Sequence, residues 1–111
     1  MTGVVDIDAG AAEKILAESG AVLLDVREDD EWDAGHAPEA VHVKLGEVVG
    51  SGFRADGPVV VVCRSGNRSR TAAAALIGSG LTAYNLAGGM AAWQSGGRSV
   101  VRDDGTAGTV I

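Results

Sequence analysis

Cysteine is almost absent from this sequence of 111 residues: Cys63 stands alone. A single thiol excludes an internal disulfide and a zinc site built from several cysteines. The only histidines, His36 and His42, have no metal-ligand spacing with it. No metal or other cofactor is expected. Long hydrophobic runs are missing, so no transmembrane helix is expected. The opening segment MTGVVDIDAG lacks a basic stretch followed by an apolar core, which argues against a signal peptide. Positive charge is short, with 9 Lys+Arg against 15 Asp+Glu and a net charge of −6. That balance disfavours nonspecific partners such as nucleic acid or an anionic membrane. The cysteine usage fits a reducing compartment, and the cytoplasm is the expected location.

What is present reads as one globular domain, 46% hydrophobic and 22% charged. Strand-like and helix-like segments alternate. Val4–Ile7 predicts a short edge strand, Asp8 an N-cap, Ala9–Ser19 a helix, and Gly20 its left-handed end. Ala21–Val26 is apolar enough for a central strand. The acids of Arg27–Trp32 suit the N-terminus of a short, solvated helical turn. Val41–Val43 predicts a strand, Leu45–Val49 a helical turn, and Gly50-Ser51-Gly52 its stop. Val59–Val62, Thr82–Leu86 and the helices Asn67–Ile77 and Met90–Gln94 complete the pattern. Such alternation implies a mainly parallel sheet with helices on both faces. Ligands of such sheets bind beyond the carboxyl ends of the strands. Residues 102–111 are rich in Gly, Asp and Thr and predict a flexible tail.

Cys63 falls at one of those strand ends, in the run VVVVCRSGNRSRTAAAAL. The strand leads into a polar turn and then a helix start. Helix N-termini carry partial positive charge and free N–H groups, and Arg64, Arg68 and Arg70 lie close by in sequence. Surroundings of this kind lower a cysteine pKa and favour the thiolate. A buried structural cysteine is the alternative, but a core thiol gains nothing from flanking arginines.

Three segments resemble the rhodanese-like family of sulfurtransferases. LLDVREDDEWDAGHAPEAVHV is similar to its N-terminal signature, VVVVCRSGNRS to its active-site loop, and NLAGGMAAW to its C-terminal signature. The resemblance spans residues 4–101 and implies a rhodanese-like domain over 1–101, with a central, mainly parallel five-stranded sheet. It implies a thiosulfate sulfurtransferase in which Cys63 carries sulfur as a persulfide. The acceptor is cyanide or a thiol. A persulfide carrier or sensor module, loaded by a partner protein, is the alternative. Cys63 would be the nucleophile, and Arg64, Ser65, Gly66, Asn67, Arg68 and Ser69 the substrate-binding loop. Gly66 permits the positive φ that such a curled loop requires. Arg64 and Arg68 would hold a thiosulfate oxyanion by charge-assisted hydrogen bonds. In the family, the form Cys-Arg-x-Gly-x-Arg is associated with thiosulfate, and Cys63–Arg68 fits it.

Related phosphatases use a loop one residue longer, with Arg where this chain has Ser69. The shorter loop makes a smaller cradle, suited to sulfur rather than to a phosphoryl group. Asp25 and Arg27 either support the loop or form an ordinary ion pair. His36 is expected in a structural hydrogen bond, Trp93 in packing, and Ser69 as a helix cap or a donor to the loop. The family usually has Gly where Glu39 stands, and residues beyond Val101 have no family counterpart.

Overall fold

A computed structural model describes residues 3–18, 20–51 and 53–111. Strands β1 (Val5–Ile7), β2 (Val22–Asp25), β3 (Val41–His42), β4 (Val59–Val62) and β5 (Ala83–Leu86) alternate with helices. The helices are α1 (Ala9–Glu18), α2 (Asp29–Ala34), α3 (Leu45–Ser51), α4 (Asn67–Gly78) and α5 (Gly89–Ser95). One five-stranded sheet has the order β1-β5-β4-β2-β3, and every pairing is parallel. The edge strand and the central apolar strands fall where the sequence places them. Ser19 and Gly52, expected at helix ends, lie outside the described residues.

Local chemistry explains the element ends. Asp8 Oδ1 accepts from the Ala11 N–H at 2.8 Å, satisfying a free donor at the start of α1. At α2, Glu28 and Glu31 form a reciprocal capping box.

The core is layered on both sides of the sheet. Val60 and Val62 face α1 and α5, packing with Ala12, Leu86, Met90 and Trp93. Val59 and Val61 face α3 and α4, packing with Val48, Ala72, Ala73 and Leu76. All four valines of β4 are fully buried. Each such side chain contributes about 1.5–3 kcal/mol relative to exposure. The strand that ends at Cys63 is therefore the most firmly held part of the sheet.

Residues 102–111, read from their polar composition as a flexible tail, fold back on the domain. Gly108 N donates to Val100 O and Thr109 N to Ala34 O, at 2.8 and 2.9 Å. Gly35 and Gly108 allow this approach, since a Cβ on Gly108 would lie 2.7 Å from the Gly35 Cα. Main-chain hydrogen bonds hold the segment where composition shows only a shortage of apolar residues. Asp103 adds contacts, accepting from Trp32 Nε1 at 3.2 Å and lying 2.9 Å from His36 Nε2.

Candidate active site

Cys63 continues the alternation of β4, so its side chain lies on the α4 side of the sheet with Val59 and Val61. The residue is only 1% exposed. Beyond it the main chain turns sharply. Gly66 has φ 105°, a conformation that side chains with a Cβ resist.

Helix α5 turns the loop carbonyls outward. Met90 N donates to Cys63 O at 2.8 Å, and Ala91 N donates to Arg64 O at 3.0 Å. With those carbonyls held, the loop N–H groups face inward. Gly66 N donates to Cys63 Sγ at 3.1 Å, and the Ser69 hydroxyl lies 3.3 Å from it. Burial pushes the Cys63 thiol up. The Ser69 hydroxyl and the N–H groups of Ser69, Gly66 and Ser65 more than offset that, so the thiol lies below its ordinary value. Inward-facing N–H groups of this kind form a concave anion site.

Both loop arginines have partners within the domain. Arg64 is exposed, and its Nε donates to the main-chain oxygen of Ile111 at 3.0 Å. Arg68 is held in a two-pronged pair with Glu31, at 2.6 and 2.8 Å. Glu31 was expected to be solvated; the carboxyl ends of β2 and β4 bring α2 and α4 together and engage it. The Arg68 guanidinium holds the Glu31 carboxyl below its usual range, and Glu31 in turn raises Arg68. The positive field near Cys63 is thus partly neutralised, and the Ser69 hydroxyl, followed by the loop N–H groups, lowers the thiol. Ser65 and Asn67 lie exposed on the loop, while Ser69 is buried. Ser69 is no helix cap: Gly66 holds the N-cap position, and the Ser69 hydroxyl donates to Asn85 Oδ1 at 2.5 Å.

Asp25 and Arg27 form a fully buried ion pair, with Nη2 2.7 Å from Oδ2. Arg27 also donates to the Gly35 carbonyl at 2.8 Å, so the pair ties β2 to the turn after α2. His36 is buried, with Nδ1 3.0 Å from the Ala37 carbonyl. Its ring stacks on Trp32 at 3.6 Å, and His42 stacks on the same indole at 4.6 Å. His42 Nε2 donates to the Arg27 carbonyl at 2.7 Å. Trp93 is buried and donates to Ser99 O at 3.0 Å, as packing requires. Among the described residues no cluster of His, Cys, Asp and Glu is arranged to hold a metal, and no helix is long and apolar enough to cross a membrane.

The family model of the rhodanese-like domain matches residues 8–96. The chain belongs to the rhodanese-like family. It is 40% identical over 83 residues to the thiosulfate sulfurtransferase GlpE of Pseudomonas savastanoi pv. phaseolicola, covering 72% of this chain and 78% of that protein. A rhodanese-related protein from Thermoplasma volcanium superposes with a TM-score of 0.78 at 27% identity, over 87% of this chain and 97% of the other. A rhodanese-like domain protein from Staphylococcus aureus superposes with a TM-score of 0.71 at 29% identity, over 81% and 91%.

Within this rhodanese-like domain, sequence reasoning missed two polar residues beside the loop. Glu31 carried no signal of its pairing with Arg68, because the contact joins separate helices. Asn85 did carry one: it is an amide in the buried strand AYNL. Its side chain reaches Ser69, Gly66 O and Asp6.

Proposed function

We propose that this protein is an enzyme that moves sulfane sulfur from thiosulfate to cyanide or a thiol acceptor through a persulfide on Cys63. The Gly66 N–H aimed at Sγ is the observation that carries this reading. It stabilises a thiolate before reaction and a persulfide anion after it. The Cys63 thiolate attacks the outer sulfur of thiosulfate and forms a new S–S bond. The old S–S bond breaks, and sulfite leaves with its electron pair. Cyanide or a thiolate then attacks the outer sulfur, and the Cys63 thiolate departs. Two easier steps replace one difficult transfer.

The loop Arg64–Ser69 receives the donor, with the N–H groups around Gly66 as its cradle. Arg68, braced by Glu31, supplies a guanidinium beside the loop. The name borne by the Pseudomonas relative supports thiosulfate as donor. A reducing compartment, the cytoplasm, suits a cycle that needs Cys63 free. Steady-state kinetics test the proposal. Parallel double-reciprocal plots for thiosulfate and cyanide, abolished in Cys63→Ser, are expected. A stable persulfide with negligible turnover would instead assign the protein as a carrier loaded by a partner.

A further inference from the structure

A buried polar chain runs from Cys63 away from the loop opening. Ser69 Oγ lies 3.3 Å from Cys63 Sγ and donates to Asn85 Oδ1 at 2.5 Å. Asn85 is 1% exposed, on β5 between β1 and β4. Its Nδ2 donates to Gly66 O at 3.1 Å and to Asp6 Oδ1 at 3.0 Å. A carbonyl and a carboxylate accept on that side, so the NH₂ group must face them. Oδ1 is thereby turned toward Ser69 and can only accept.

Ser69 has one hydroxyl proton and two claimants for it. While Asn85 holds the proton, Ser69 offers Cys63 only lone pairs, which suits a thiol that donates. A thiolate needs the same proton turned toward Sγ. We propose that Asn85 is a positioning residue that competes with Cys63 for the Ser69 proton and so sets the balance between thiol and thiolate. Asn85 acts through Ser69, while its Nδ2 fixes the amide against Gly66 and Asp6. The charged groups around this chain are Asp6 on β1 and Arg70 on α4 beyond Asn85, with Arg68 on α4 and Glu31 on α2 toward the loop. The inference rests on Cys63 being the reacting thiol.

The test is the pH profile of Cys63 alkylation by iodoacetamide, which reads the thiolate whether or not sulfur transfer occurs. Freeing the Ser69 proton in Asn85→Ala is expected to lower the midpoint by about half to one pH unit. Ser69→Ala is expected to raise it. The double variant separates this route from the one through Gly66, which Asn85 also touches and whose N–H faces the sulfur: a midpoint matching Ser69→Ala alone is expected, because the effect runs through Ser69. An unchanged or raised midpoint in Asn85→Ala, or an equal downward shift with Ser69 already removed, would overturn the proposal. Should Asn85→Ala fail to fold, the unaltered protein suffices: the Asn85 side-chain amide resonances should titrate at the alkylation midpoint. Resonances that stay fixed through it would overturn the proposal. A missing persulfide in the unaltered protein, with these shifts intact, would sink only the sulfurtransferase reading.

Discussion

Gly89 lies directly against the main chain of Cys63. A Cβ at Gly89 would overlap the Cys63 carbonyl oxygen and the Arg64 carbonyl, and its φ is already +57°. This close approach lets Met90 and Ala91 hold those two carbonyls and leave the loop N–H groups facing the sulfur.

Gly89→Ala should therefore push the loop off α5. Overpacking of this kind costs about 1–3 kcal/mol in stability, within reach of urea unfolding. Misdirected N–H groups should slow persulfide formation much more, on the order of a hundredfold. A folded variant with an unchanged single-turnover rate would show that the α5 contact does not position the loop.

Arg68→Ala should raise the KM for thiosulfate and change kcat less, since it removes positive charge beside the loop. The partner predicts a pH effect on stability. Arg68 holds the Glu31 carboxyl below its ordinary 4.5. A lowered folded-state pKa means the contribution is full above about pH 5 and is lost as pH falls through the lowered value. Glu31→Gln should remove that part of the acid dependence. Urea midpoints measured between neutral and acidic pH check it, and an identical slope in both proteins would contradict it.

Asp25→Ala should destabilise the fold by about 3–5 kcal/mol, because Arg27 would stay buried without its carboxylate. Replacing both, as Asp25→Leu with Arg27→Met, should recover much of that loss. Urea unfolding of the single and double variants measures both effects. A single variant as stable as the unaltered protein would remove the pair from the account of how β2 is tied to Gly35.

The parts of the fold set by local pattern were legible in the sequence. The Val59–Val62 run marks a fully buried strand, Asp8 caps α1, and Gly20, at φ 63°, follows it. The strand-turn-helix around Cys63 was legible for the same reason. What could not be read are contacts between distant segments that local composition does not encode. Glu31 meets Arg68 only because parallel strands deliver α2 and α4 to one end of the sheet. Arg64 is drawn to Ile111 because residues 102–111 fold back, and that depends on Gly35 meeting Gly108. Asn85 is intermediate: a buried amide in a strand signals a partner but does not name Ser69.

The most direct test of the central claim is the intact mass of the reduced protein after incubation with thiosulfate. The account predicts a gain of one sulfur atom, lost on adding cyanide and absent in Cys63→Ser. An unchanged mass, with Cys63 shown to be free and reactive, would contradict thiosulfate as the donor to this thiol.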